Sequence, residues 1–173
     1  FVGQAFAIEA SMALVRGDKK RACLLVREGL TGLGEAGLRH IGATLYGLLA
    51  RATESTLERS EALREGEALL DAGTPSHNHL HFAESAMAAL LEQGDWAGAE
   101  RQCDRLERYC AREPLPWSEF VIARGRAFAR LGRGVRADTL RETLQRLRET
   151  AARAELNVAL AEIDAAVAAS AWG

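Results

Sequence analysis

Four alanines, Ala22, Ala62, Ala99 and Ala137, recur at intervals of 40, 37 and 38 residues, each close behind a turn, where an apolar helical pattern sets in. A period of this length is an internal repeat. It restricts the chain to architectures in which helix pairs stack on one another, because one pair cannot bury its apolar face alone. The small residue has a mechanical use: it lets the second helix of a pair lie close against the first. The expected fold is all-α.

The punctuation of the sequence agrees. Arg16-Gly17-Asp18 closes a first helix (2–16) and opens a second (18–35), with Asp18 as its cap. A third helix follows Ala36-Gly37-Leu38 and carries Ile41, Leu45, Leu48 and Leu49 at helical spacing. Ser55 and Glu58 read as a capping box for a fourth (56–72), which Gly73-Thr74-Pro75 ends. A fifth helix (78–93) runs to Gly94-Asp95, a repeat of the Gly17-Asp18 turn, and a sixth runs on to 112. Pro114 and Pro116 break the chain before a seventh (117–131), and Gly132-Arg133-Gly134 leads into an eighth (135–153) with Leu140, Leu144 and Leu147 in one stripe. A last helix (157–170) carries Leu160, Ile163 and Val167. The reading is one repeat domain over 1–173: a tetratricopeptide-like superhelix of about four antiparallel pairs (1–36, 37–74, 75–113, 114–154) closed by a capping helix.

Composition narrows the compartment. At 48% hydrophobic and 6% aromatic the chain can bury a core, yet no apolar run approaches the roughly 20 residues of a membrane span. Three cysteines are an odd number, and Cys103 and Cys110 stand two helical turns, about 10 Å, apart. Reduced thiols in a cytoplasmic protein are expected. The chain opens at Phe1 in mid-pattern, as a piece of a longer protein would.

Charge is uneven. Residues 1–100 carry 9 basic and 14 acidic groups and residues 101–173 carry 13 and 10, so the second half is net positive. Between Phe120 and Ala137 stand Arg124, Arg126, Arg130, Arg133 and Arg136 with no acid among them. Either Glu107, Glu113 or Glu119 balances them across a groove, or they receive a phosphate or an acidic peptide. Nucleic acid is not expected, because the whole chain is mildly acidic and the patch lacks interleaved aromatics.

Three histidines, His77, His79 and His81, form the other local cluster. His77 and His81 at i and i+4 have a zinc-compatible spacing, but His79 points elsewhere, and only Glu84 is near enough to approach as a further ligand. No metal and no cofactor are expected, and the cluster is read as packing, capping or recognition at a repeat junction. Trp96 and Trp117 are read first as packing residues beside turns and second as recognition residues. Trp172 stands at the end of the chain and carries no signal.

The stretch from Ser76 to Gly134 holds His77-Asn78-His79, the Gly94-Asp95-Trp96 turn, Leu106-Glu107-Arg108-Tyr109, Glu113-Pro114-Leu115-Pro116-Trp117 and Arg124-Gly125-Arg126-Ala127. It resembles the C-terminal tetratricopeptide-like region of large bacterial class III adenylate cyclases. A more distant likeness is to the helical-repeat regions of large ATPase transcriptional regulators. The resemblance implies that a cyclase domain and a P-loop ATPase module lie upstream and that this segment is regulatory. Its residues carry no phosphate-binding loop. The only lysines, Lys19 and Lys20, are adjacent at a helix start, and no strand-rich segment offers a sheet for paired metal-binding carboxylates.

The expected function is thus a non-catalytic interaction or regulatory domain that binds a protein or peptide, including upstream domains of its own polypeptide. Its candidate contacts are His77, His79, His81, Trp117, Arg124 and Arg126, around one groove. Two alternatives stay open: a phosphate- or nucleotide-linked segment of an enzyme, and a self-associating oligomerisation module.

Overall fold

The computed structural model describes residues 2–170. Nine helices make up the regular structure of these residues: α1 (Val2–Val15), α2 (Lys19–Gly32), α3, α4 (Thr56–Asp71), α5 (Ser76–Glu92), α6 (Trp96–Cys110), α7 (Pro116–Gly132), α8 (Asp138–Arg153) and α9 (Asn157–Ala168). Helix α3 is composite, with a π-helical turn, Leu38–Gly42, between Glu35–Gly37 and Ala43–Ala52. No strand occurs among the described residues, in agreement with an all-α helical-repeat fold.

The Gly-Asp turns explain where α2 and α6 begin. Gly17 and Gly94 sit at φ 78° and 74°, a left-handed conformation that glycine adopts without steric cost. Gly17 donates its N–H to the Leu14 carbonyl and Asp18 to that of Ala13, while Gly94 and Asp95 donate to Leu91 and Leu90. Asp18 then accepts from the Arg21 N–H at 2.9 Å and Asp95 from the Gly98 N–H at 2.8 Å. Two distant stretches thus build the same stop and start, bond for bond. Pro116 takes the first position of α7, where its missing N–H costs nothing, and Ser118 returns a hydroxyl to the Leu115 N–H at 3.3 Å.

Two compact units are present, one up to Ala89 and one from Leu90, the division falling within α5. In the first, α1 packs on α2, α2 on α3 and α3 on α4 around Ala10, Ala22, Val26, Leu45, Leu49 and Ala62. Phe82 of α5, fully buried, fills a second cluster with Ala43, Leu70 and Ala86. In the second unit α6 packs on α7, α7 on α8 and α8 on α9, and Leu106, Val121, Leu140, Leu144 and Ile163 are buried. Trp96 lies over the end of α7: a Cβ added at Gly132 would stand 2.5 Å from its ring, so the indole is a packing residue. Trp172 lies outside the described residues.

Two expectations are corrected. Ala22, Ala62 and Ala99 are buried, but Ala137 is exposed in extended backbone (φ −73°, ψ 146°), because α8 begins at Asp138 and not at 135. The Arg136 guanidinium donates to the carbonyls of Leu131 and Val135, which holds residues 135–137 out of the helix, and Leu140 takes the buried place. The repeated alanine therefore marks three helices and fails at the fourth. The Ser55 cap is also only half a capping box. Ser55 Oγ accepts from the Glu58 N–H at 3.2 Å, but the Glu58 carboxylate turns away to the Thr53 hydroxyl and to Arg27 of α2, which grips it in a fork at 2.7 to 2.9 Å. A charged guanidinium offers a stronger bond than a neutral backbone N–H.

Replacement of Ala99 by leucine is expected to destabilise the chain by about 1 to 3 kcal/mol through overpacking, whereas Ala97→Leu and Ala137→Leu, at exposed positions, stay within about 0.5 kcal/mol. Equal midpoints for all three variants in urea would contradict this placement of the helix contacts.

Candidate functional site

The π-helical turn of α3 makes the most unusual site in the first unit. A π turn shifts the backbone out of the regular hydrogen-bond ladder, and such turns often mark functional positions. Here the His40 carbonyl accepts from Asn78 Nδ2 at 2.8 Å, and Asn78 Oδ1 accepts from the Thr44 hydroxyl at 2.7 Å, all around an amide with no solvent exposure. The bond brings the side chain of His40 beside its successor on α5. The His40 and His77 rings stand 5.7 Å apart, edge to face, and those of His77 and His81 stand 6.3 Å apart. Sequence spacing paired His77 with His81 correctly. His79, two residues on and about 200° around the helix, lies on another side.

His40 was missing from the sequence reading, although a signal existed: it precedes His77 by 37 residues, one repeat period. His77 is half-buried, its Nε2 is enclosed without a hydrogen-bond partner, and its pKa is lowered by burial and by the nearby His81 and His40. Among the described residues no three histidine, cysteine or acidic side chains are arranged to hold a metal ion.

Folding thus favours neutral His77. A base whose pKa is lower folded than unfolded contributes full stability above its unfolded pKa, near 6.5, and loses it as pH falls towards the folded value. Proton NMR is expected to show His77 titrating below the usual histidine value, and His77→Gln is expected to flatten the fall in stability below about pH 6.5. An unchanged pH profile in that variant would show that the ring row carries no such linkage.

In the second unit α7 presents two different sides. Trp117 stacks on Phe120 with ring centroids 5.7 Å apart, the Arg124 guanidinium lies 5.9 Å from the centre of the Phe120 ring, and Arg124 donates to Glu162 of α9 at 3.0 Å. With only 12% of its side chain exposed, Arg124 is a packing arginine that ties α7 to α9. Arg126 faces α6 instead. It holds both oxygens of Glu107 at 2.9 and 2.7 Å and Asp104 at 2.7 Å, and these partners raise its pKa while Arg126 lowers that of Glu107. Arg124 and Arg126, expected around one groove, are separated because residues two apart on a helix do not face the same way. Arg133 is likewise paired, in a fork on Glu100 at 2.6 and 2.7 Å.

Beside Arg126 a cleft of about 350 Å³ opens between the end of α6 and the start of α7. Cys110, Ala111, Pro114, Ile122 and Ala123 supply its apolar wall, and Glu107, Ser118, Glu119 and Arg126 its polar groups. It thus joins the Pro114 segment to Arg126, two features the sequence analysis singled out. The deeper Cys103 thiol, fully buried, is inert: burial pushes its pKa up to about 12, and its Sγ lies 3.7 Å from the Ile122 carbonyl. The histidine row belongs to the first unit and this cleft to the second.

Compared with known protein families, with curated proteins and with solved structures, the chain finds no match. No helix among the described residues is long and apolar enough to cross a membrane.

Proposed function

We propose that the chain is a non-catalytic helical-repeat domain that binds a protein or peptide, in the setting the adenylate cyclase resemblance implies: the regulatory C-terminal region of a multidomain cyclase of cytoplasmic location. The observation that carries the binding reading is the cleft along α7. Its volume is at the small end of the roughly 300 to 1,000 Å³ of ligand sites, and it combines an apolar wall with a few oriented polar groups. Helices hold both of its sides, so a docking segment would meet a preformed surface and lose little affinity to reorganisation.

A phosphate-binding role for the arginines is disfavoured by the ion pairs. Arg124, Arg126 and Arg133 each already hold a carboxylate, and a phosphate would have to share the guanidinium with it against like-charge repulsion.

The test is selection of displayed peptides on the purified chain, followed by anisotropy titrations against wild type and against Ala123→Trp, which fills the cleft. Loss of at least about tenfold in affinity, with an unchanged circular dichroism midpoint, is the expected result. Binders indifferent to Ala123→Trp would remove the cleft from the reading. The purified chain is also expected to leave ATP intact and to form no cyclic AMP, and turnover of the nucleotide in either assay would overturn the non-catalytic assignment.

A further inference from the structure

We infer that the α7 cleft selects a basic peptide: an apolar side chain against Ile122 and Ala123, with a neighbouring lysine or arginine directed to the carboxylates at its edge. This rests on the binding reading above and reverses the acidic partner that the arginine count suggests. The reason lies in how the charges are spent. Three of the five N–H donors of Arg126 already serve carboxylate oxygens, two from Glu107 and one from Asp104, so most of its positive charge is matched within the chain. An incoming acidic side chain would have to share this guanidinium with two carboxylates and would meet their negative charge at close range. The sign of the cleft is therefore set by what remains unneutralised.

Glu119 lines the cleft, is exposed, and has no ion-pair partner among the described residues. Arg108 and Arg112 are not among the residues that line the cleft. The lining itself thus holds two carboxylates, Glu107 and Glu119, against one guanidinium, with Asp104 adding a third negative charge on that same guanidinium. An apolar wall bordered by unspent negative charge is complementary to a hydrophobic side chain flanked by a cation.

The experiment uses two dye-labelled peptides with the same leucine-centred core, one flanked by lysines and one by glutamates, titrated into the full chain at low salt. The lysine peptide is expected to bind about tenfold tighter, a margin that shrinks as salt screens the edge charges. Glu119→Lys should abolish or reverse the preference, and Ala123→Trp should weaken the lysine peptide about tenfold. Equal affinities that are both lost in Ala123→Trp would leave the cleft as a binding site and overturn its basic specificity. Tighter binding of the glutamate peptide, or a preference untouched by Glu119→Lys, would also overturn the specificity. No binding of either peptide up to about 1 mM would overturn both readings.

Discussion

Phe82→Ala is expected to cost about 3 to 5 kcal/mol, the largest loss from any single substitution considered for this chain. The ring is fully buried and fills the space over two glycines, one on α3 and one on α4. A Cβ added at Gly66 would overlap the Phe82 ring at Cε2, and one at Gly47 would lie 3.2 Å from the Phe82 Cα. Glycine within a helix costs roughly 1 kcal/mol against alanine, so two of them beneath one ring make sense only as room for that ring and for the close backbone of α5. Gly66→Ala alone should therefore cost about 1 to 3 kcal/mol by overpacking, and much less in the Phe82→Ala background, where the clash is gone. Urea denaturation of the two single variants and the double variant measures this coupling. Additive losses would show that ring and glycine do not interact as described.

Asn78→Leu should cost about 2 to 4 kcal/mol. Leucine conserves volume but gives no donor to the His40 carbonyl and no acceptor to the Thr44 hydroxyl, both of which the fully buried Asn78 amide now satisfies. The cost comes less from the two lost bonds than from the buried Thr44 hydroxyl and the partly buried His40 carbonyl left behind. Thr44→Val in the same chain removes one of them and should recover part of the loss, while the His40 carbonyl stays orphaned in its π turn. A ring-current shift of the His40 and His77 protons should accompany Asn78→Leu, because the bond that brings α3 to α5 also sets their separation. A stable Asn78→Leu chain with unshifted histidine resonances would mean that the π turn holds its shape unaided.

Much of the helical plan was legible in advance because its signals are local. Gly17-Asp18, Gly94-Asp95 and Pro116 act through the φ angles and hydrogen-bond capacity of a few consecutive residues, and each starts or stops a helix where expected. The misplaced start of α8 has the opposite origin. Ala137 looks like a fourth repeat alanine, but the carbonyls held by Arg136 keep its segment extended. Glu58 shows the same competition, since its expected cap bond yields to Arg27, 31 residues earlier in the chain.

The candidate sites were less legible. Arg124 and Arg126 looked equivalent, yet one packs on an aromatic ring and pairs with α9 while the other is held by two acids of α6. By itself the sequence determined the helices, most of their ends and the pairing of His77 with His81, because backbone sterics, capping and a rotation of about 100° per residue operate within a turn or two. Only the tertiary structure decided that His40 completes the ring row, that a buried amide secures a π turn, and that the arginine-rich helix borders a cleft whose unspent charge is negative. Those outcomes depend on which groups distant in sequence come within hydrogen-bond reach, since an ion pair or a buried amide is set by approach in space and leaves no periodic trace along the chain.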